Sequence, residues 1–157
     1  MANTTATTAN MFTVNAGSVI LTATAKHKGS VFGFPNEPKQ RGKGYHNYFV
    51  LTVKSNNGSR ATFNYYGSIN DHSKGITELG ETGIKEALGC VLSDANSAAN
   101  WTSTDDVMDE FGYDTDSRSQ YKQAKQVFKG CQAAAEKMAK LGLSQHDIEE
   151  LCDQLNN

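Results

Sequence analysis

Residues 48–66 read YFVLTVKSNNGSRATFNYY, and this stretch decides the fold of the first half of the chain. Two runs rich in β-branched and aromatic residues flank Asn57-Gly58, the dipeptide best suited to a two-residue type I′ turn. With that loop, Thr52 pairs with Phe63. One face of the hairpin then carries Val50, Thr52, Ala61, Phe63 and Tyr65. Both faces are partly apolar, which predicts a central hairpin with helices on at least one side.

The rest of the chain supplies another hairpin and a block of helices. Phe12–Val14 and Val19–Ala25 flank a three-residue turn, Asn15-Ala16-Gly17. Helical patterns are predicted from Thr82, over Thr104–Phe111, over Thr115–Leu141, and after a Ser144/Asp147 capping pair. The apolar positions of the longest pattern are Tyr121, Ala124, Phe128, Cys131, Ala135 and Met138, widened by Val127, Ala134 and Leu141. The sequence predicts an α+β fold, with an antiparallel sheet of about four strands in the first half and about four helices in the second.

Length and composition favour one domain. With 157 residues and 38% apolar content, the chain can bury one core. We expect a flexible tail over residues 1–10 and a single domain over 11–157, with hairpins in 11–66 and helices in 82–155. No signal-peptide pattern or membrane-length apolar run is present, so a cytoplasmic location and no membrane contact are predicted. The three cysteines match no metal-site spacing and are expected to be buried, reduced thiols.

Charge is divided unevenly along the chain. Residues 1–74 carry eight Lys/Arg against two acids, a net of +6, whereas residues 75–157 carry seven against fifteen, a net of −8. Clustered charge of one sign steers the approach of a charged partner. The division therefore favours a binding protein over an enzyme.

The segment between the hairpins is the main candidate site. Residues 27–46 read HKGSVFGFPNEPKQRGKGYH, and we expect a long loop. Basic residues interleaved with aromatics suit nucleic acid, because cations neutralise phosphates while rings stack on bases. An acidic protein surface suits them equally, and a merely solvated connection is the third interpretation. The candidate partner-binding residues are Lys26, Lys28, Phe32, Phe34, Lys39, Arg41, Lys43 and Tyr45.

The acidic second half offers the opposite hypothesis. Asp105, Asp106, Asp109 and Glu110 form a secondary candidate surface, since spaced carboxylates can imitate a phosphate backbone. Their alternative role is structural, because negative charge in a first helical turn suits the helix dipole. No catalytic motif, metal-ligand spacing or phosphate-cradling glycine loop accompanies them, so the sequence predicts no cofactor, no metal and no enzymatic activity.

Two stretches form a recognisable pair. Phe63–Asp71 reads FNYYGSIND, and Asp106–Ser117 reads DVMDEFGYDTDS before a long helical pattern containing Tyr121. The pairing resembles a loose family of small proteins encoded by bacteriophages and mobile elements, in which a strand pair precedes an EFGYD-x-DS turn and a terminal helix. The resemblance covers about residues 45–140 and implies a context in which anti-CRISPR inhibitors occur. We expect Phe111 and Tyr113 of this motif to be core residues.

These features together predict a phage-type inhibitor, anti-CRISPR-like, that binds a host nucleic-acid-targeting defence complex stoichiometrically. Its partner would be a host defence protein or ribonucleoprotein complex, and the chain itself would be a monomer or a homodimer. The alternative is a nucleic-acid-binding accessory protein that contacts DNA or RNA directly through the basic loop 26–46. An enzyme assembled from scattered residues is a third, weaker interpretation.

Overall fold

The computed structural model of the chain describes residues 10–32, 44–67 and 69–156. Its strands are β1 (Met11–Ala16), β2 (Val19–Phe32), β3 (Tyr45–Ser55) and β4 (Arg60–Tyr66). Its helices are α1 (Ile69–Ser73), α2 (Gly80–Ala98), α3 (Thr104–Glu110), α4 (Arg118–Lys140) and α5 (Gln145–Asn156). The strands form one antiparallel sheet in the order β1-β2-β3-β4. The predicted α+β class is confirmed, and the short helix α1 is added to the four predicted helices.

The β3–β4 hairpin has a longer turn than the sequence predicts. Leu51 lies opposite Phe63, and the Ser55 N–H donates to the Ser59 carbonyl at 2.9 Å, so three residues form the loop. A type I′ turn needs positive φ at both central residues. Among the described residues only glycines adopt positive φ, here Gly58 at 91°. The predicted pairing of Thr52 with Phe63 is therefore wrong by one residue.

Because of this shift of one residue, the two faces of the hairpin carry different sets of side chains from those predicted. The side chains facing the helices from this hairpin are Phe49, Leu51, Val53, Ala61, Phe63 and Tyr65. The opposite face carries Val50, Thr52, Thr62, Asn64 and Tyr66. A one-residue change of register moves a strand's whole apolar set from one face to the other. The hairpin is consequently apolar on one side only, and β4 is an edge strand rather than a central one.

The other strand connections also differ from expectation. Ala16 pairs with Val19, so the β1–β2 turn has two residues, with Gly17 at φ 58°, instead of the predicted three. Strand β2 extends to Phe32 and β3 begins at Tyr45, because their ladder continues past a bulge at Lys28. Residues 27–32 and 45–46, predicted as loop, are therefore strand. The predicted tail and the central part of the predicted loop, residues 33–43, lie outside the described residues, apart from Asn10.

The main core fills the space between the sheet and helices α2, α4 and α5. Helix α2 is central to it, since Ile84, Leu88 and Leu92 are almost completely buried. Sheet residues such as Leu21, Leu51 and Val53 complete the cluster from the other side. Burying a side chain of this size contributes roughly 1.5–3 kcal/mol. The apolar stripes of the helices and the apolar face of the sheet thus bury each other.

A smaller apolar cluster joins the end of α2, α3 and the first half of α4. Its buried residues are Val107, Met108, Tyr113, Ala124, Val127 and Cys131. Tyr113 is buried as predicted, but Phe111 is 37% exposed and Tyr121 is 44% exposed. The buried column of α4 begins at Ala124 and follows Val127, Cys131, Ala134 and Met138. The predicted apolar face of α4 is therefore wrong at its first position, since Tyr121 lies outside the buried column.

Side-chain caps mark two helix starts, one of them as predicted and the other three residues after the predicted Thr115. The Ser117 hydroxyl accepts from the Gln120 N–H at the start of α4. Before α5, the Ser144 N–H donates to the Asp147 carboxylate at 2.9 Å, and the Asp147 N–H donates to the Ser144 hydroxyl at 3.1 Å. This reciprocal pair satisfies two N–H groups that the helix itself leaves without partners.

Candidate nucleic-acid interface

The face of the sheet that points away from the helices is the most distinctive surface of the described residues. Four rows of this face, set by the strand register, are called the open face; the rows beyond them are Asn15-Ile20 at one end and Val31-His46, with His46 buried, at the other. The four rows of the open face are Thr13-Thr22-Lys54-Arg60, Met11-Thr24-Thr52-Thr62, Lys26-Val50-Asn64 and Gly29-Tyr48-Tyr66. Its side chains are exposed or half-buried, and none of them belongs to the buried clusters. Within the described part of the chain, no helix covers this surface.

The open face has charge of one sign. Lys26, Lys54 and Arg60 are exposed on it, and the four strands contain no Asp or Glu. None of these three cations lies within ion-pair distance of a carboxylate in the described ranges. Lys54 and Arg60 are direct cross-strand partners, an arrangement that disfavours folding because like charges repel. The surface is therefore a ready attachment site for a polyanion.

A pair of stacked tyrosines ends the open face. The rings of Tyr48 and Tyr66 are 5.3 Å apart between centroids and inclined by 16°. The Tyr48 hydroxyl donates to the Asn64 side-chain oxygen at 3.1 Å, which fixes the pair against β4. Burial, followed by the neighbouring Tyr48, raises the pKa of Tyr66 above its usual value of 10.0. A phenol is already neutral at physiological pH, and this shift keeps Tyr66 neutral to a higher pH.

The structure divides the residues that the sequence singled out. Lys26 lies on the open face, and Lys28 is the exposed residue at the β2 bulge. Phe32 and Tyr45 pair with each other, edge to face at 5.4 Å, and are 57% and 55% exposed. Strand alternation after the bulge places this pair on the helix side, where Tyr45 meets the His72 ring at 5.7 Å. The remaining candidates, Phe34, Lys39, Arg41 and Lys43, lie outside the described residues.

Sequence reasoning missed four residues of the open face: Tyr48, Lys54, Arg60 and Tyr66. All four belong to the β3–β4 hairpin, and the predicted register divides them between its two faces. A three-residue loop at Asn56-Asn57-Gly58 would have placed all four on one surface without any structural information. The alternation of side chains along β3 and β4 therefore predicts this surface, but only when the hairpin loop is given three residues instead of two.

The histidines at the two ends of the predicted loop have structural contacts. The His27 Nε2 lies 3.0 Å from the Asn47 side-chain oxygen, and the Asn47 amide donates to the Ile76 carbonyl. The buried His46 contacts the Gly67 carbonyl through Nδ1 at 2.8 Å. Both histidines thus link the start of β3 to the segment that leads into the helices. The described residues contain no group of three His, Cys, Asp or Glu side chains placed to hold a metal ion.

The acidic candidates do not behave as one set. Asp106 accepts hydrogen bonds from the Thr102 N–H at 2.7 Å and the Thr102 hydroxyl at 2.9 Å, and these bonds lower its pKa. Asp106 is therefore a helix-start residue. Asp105, Asp109 and Glu110 are exposed on α3. They belong to an acidic segment, residues 86–117, that has eight carboxylates and no Lys or Arg.

Other surfaces offer less chemistry. A groove of about 220 Å³ between β4 and helices α2 and α4 is lined largely by small and apolar residues, including Phe63, Val127 and Cys131. Ligand pockets usually exceed roughly 300 Å³. Lys137 at its rim donates to the Thr62 carbonyl at 2.8 Å and lies 5.2 Å above the Phe63 ring, so its ammonium group has a structural contact. None of the helices within the described ranges is long and apolar enough to cross a membrane.

Comparison with models of protein families, with curated proteins and with solved structures gives no match. The resemblance to phage accessory proteins therefore stays a prediction, and function has to be argued from the surfaces themselves.

Proposed function

We propose that this chain is a non-catalytic binding protein that holds single-stranded nucleic acid on the open face of its sheet. The observation that carries the proposal is a sheet surface with three exposed cations, no carboxylate and a stacked tyrosine pair. Cations attract the phosphates, and an aromatic ring provides a stacking platform that accepts any base. Six residues of strand separate the Lys54 row from the Tyr48 row, a distance of roughly 20 Å. Several nucleotides of an extended strand can lie along it.

Because the overall charge of the chain is −2, the protein as a whole does not attract a polyanion, and the attraction comes from the cations of the open face. At an ionic strength of 0.1 M charges are screened beyond about 10 Å, so a ligand on the open face interacts mainly with the cations beneath it. Lys26, Lys54 and Arg60, with Lys28 at the margin, offer four phosphate contacts. Four contacts with a single strand give a slope of about −2.8 in log K against log salt.

The test is fluorescence anisotropy with a labelled 15-nucleotide single strand over a range of salt concentrations. In K26Q/K54Q we expect weaker binding and a slope smaller in magnitude by about 1.4, because two phosphate contacts are lost. The matched control is K74Q/K85Q, which removes two exposed lysines outside the sheet and changes net charge equally. Equal effects of the two double variants would contradict the proposal, since only general charge would then matter.

A second candidate function rests on the acidic segment. Eight carboxylates with no cation between Lys85 and Arg118 form a continuous negative stretch, of which Asp105, Asp109 and Glu110 are exposed on α3. Such a surface fits the cationic groove of a nucleic-acid-targeting complex. This arrangement supports the phage-type, anti-CRISPR-like inhibitor that acts by stoichiometric binding to a host defence ribonucleoprotein.

The inhibitor hypothesis is tested by adding the purified protein to a defence complex captured from the host and measuring target cleavage. We expect stoichiometric inhibition that D105N/D109N/E110Q abolishes. Asp106 is left intact because its carboxylate holds Thr102 at the start of α3. Inhibition by this triple variant equal to that of the unchanged protein would remove the acidic surface from the mechanism, and K26Q/K54Q then shows whether the open face is responsible.

A further inference from the structure

Helix α4 carries a line of cations that the overall acidity of the second half conceals. Residues 118–140 contain six Lys/Arg and one Glu, a net of +5 within a half whose net charge is −8. Four of the six, Arg118, Lys122, Lys125 and Lys129, follow one another at spacings of four, three and four residues. We call these four residues the basic stripe. At 100° per residue they lie within an arc of about 60° and extend over about 16 Å of helix.

The basic stripe faces away from the rest of the molecule. All four of its residues are exposed, whereas the buried residues of α4, such as Ala124, Cys131 and Met138, lie on the opposite side of the helix. No carboxylate occurs between Arg118 and Ala135, and none of the described carboxylates lies within ion-pair distance of the stripe. An exposed helix face usually alternates Glu with Lys, because cations four residues apart repel each other. Nothing in the helix compensates for this repulsion.

We infer that the basic stripe is a second nucleic-acid surface, and that its ligand is the phosphate backbone of a duplex. One exposed aromatic side chain, Tyr121, borders the stripe between Arg118 and Lys125, and the apolar column of α4 from Ala124 onwards is buried in the core. A membrane-surface helix needs an exposed apolar face, and a protein interface needs an apolar centre. Contact with a duplex backbone needs neither, since cations alone supply the affinity and counterion release drives it.

The two surfaces suit different forms of nucleic acid. The open face combines cations with a pair of stacked rings, as single strands require, whereas the basic stripe is a straight row of charges bordered by one unstacked ring, Tyr121. The sheet and the core lie between them, because α4 packs its buried side against α2 and β4. The inference extends the proposed function, and it predicts that one molecule holds a duplex and a single strand at the same time.

The test measures binding of a labelled 20-base-pair DNA duplex to K125Q/K129Q. These lysines are at the end of the stripe farther from Asp114 and Asp116, which weaken the attraction near Arg118. We expect the magnitude of the salt slope to fall by about 1.8, with a loss of affinity of one to two orders of magnitude at about 0.1 M salt. The matched control K74Q/K85Q should retain affinity, and an excess of unlabelled 15-nucleotide single strand should leave the duplex bound.

The outcomes separate the inference from the proposed function. Duplex affinity unchanged in K125Q/K129Q but lost in K26Q/K54Q overturns the inference and leaves the open face as the binding surface. Duplex affinity lost in K125Q/K129Q, with single-strand affinity unaffected in K26Q/K54Q, supports the stripe and contradicts the proposed function. A salt-sensitive dimer of the unchanged protein that disappears in K125Q/K129Q, without duplex binding, would assign the stripe to the acidic segment of a second copy and overturn the inference.

Discussion

Lys54 and Arg60 lie directly opposite each other across the β3–β4 ladder, as two exposed cations on one face of the sheet. On β2 the residue paired with Lys54 is Thr22, and no carboxylate is present in the strands to neutralise the two cations. Like charges in direct cross-strand contact oppose folding. A sheet built for stability alone would place an acid at one of these positions, and the pair is consistent with the proposed binding of a polyanion.

Replacing Lys54 with Glu should stabilise the protein and impair its proposed function. The substitution exchanges a repulsive cross-strand pair for an attractive one, and we expect the free energy of unfolding to rise by about 0.2–1 kcal/mol. Single-strand affinity should fall, because a carboxylate then stands in the row of cations. Urea denaturation and fluorescence anisotropy on the same sample measure both effects.

The control for this prediction is Lys74→Glu, which makes the same charge change at an exposed site outside the sheet. It should leave the free energy of unfolding nearly unchanged and reduce affinity less. A decrease in stability for Lys54→Glu would show that the cross-strand repulsion is not significant in this sheet.

The aromatic contribution of Tyr66 can be separated from its hydroxyl. Tyr66→Ala removes one ring of the stacked pair and should weaken single-strand binding by about 1–3 kcal/mol, the usual contribution of a base stacked on a ring. Tyr66→Phe keeps the ring and should bind almost as tightly as the unchanged protein. Anisotropy titrations provide the measurement, and similar losses in both variants would assign the effect to the hydroxyl instead of stacking.

Ser55 joins the hairpin turn to the end of α4. Its buried hydroxyl donates to the Leu141 carbonyl at 2.7 Å, a group that the helix itself leaves without a partner. Ser55→Ala should lower the free energy of unfolding by about 1–3 kcal/mol, because a buried acceptor loses its hydrogen bond. Ser93→Ala, which removes an exposed hydroxyl from α2, should have little effect on the denaturation midpoint. Equal midpoint shifts would argue against the tertiary bond.

Acid should remove the contribution of Asp147 to stability. Hydrogen bonds from the Ser144 N–H and hydroxyl lower the pKa of Asp147 below its usual value of 3.8. A lowered folded-state pKa means that the unfolded chain binds the proton more tightly, so this contribution is present above pH 3.8 and disappears as the pH falls through the folded-state pKa. Asp147→Asn should therefore destabilise at pH 7 and hardly at all at about pH 2.

The matched variant for Asp147 is Asp153→Asn, which removes a carboxylate from the other end of α5. A negative charge there opposes the helix dipole, so its removal should not destabilise the protein at pH 7. Denaturation midpoints at the two pH values test the pair. A pH-independent difference between Asp147→Asn and the unchanged protein would exclude a role for the ionised carboxylate.

The cysteines should differ in their reaction with iodoacetamide. Burial, reinforced by the nearby Asp94, raises the pKa of Cys131 to about 12, whereas Cys90 is exposed on α2. At pH 8 about one Cys131 side chain in 10,000 is a thiolate, so its reaction in the folded protein is slow. Peptide mapping should show Cys90 modified in native protein and Cys131 only in urea. Rapid labelling of both without urea would contradict the buried position.

Much of the fold follows from local sequence patterns. The helical spacing of Ile84, Leu88 and Leu92 predicts the central helix, and the Ser144/Asp147 pair predicts where the last helix begins. The main error of the sequence-based prediction is the length of the turn at Asn56-Asn57-Gly58, because local propensity favours a two-residue loop and the structure has three. The position of Cys90 also differed from expectation, because burial of a helical residue depends on which neighbours cover that side.

The candidate site depended on longer-range information. Lys26, Lys54 and Arg60 are 6–34 residues apart in sequence and become one surface only through the pairing of three strands. The predicted set was divided instead, with Lys26 on the open face and Tyr45 on the helix side. The basic stripe of α4 was readable from its spacing alone, but the net acidity of residues 75–157 concealed it.

By itself, the sequence determined the α+β class, the start of the last helix and the presence of a cationic first half, because spacing, caps and charge are local properties of the chain. Only the tertiary structure decided which side chains share a face, since strand register and helix burial are set by packing between distant residues. The large buried residues of the sheet, such as Leu21, Leu51 and Phe63, reach the helices together in one register, and that requirement leaves Lys54, Arg60 and the tyrosine pair together on the uncovered side.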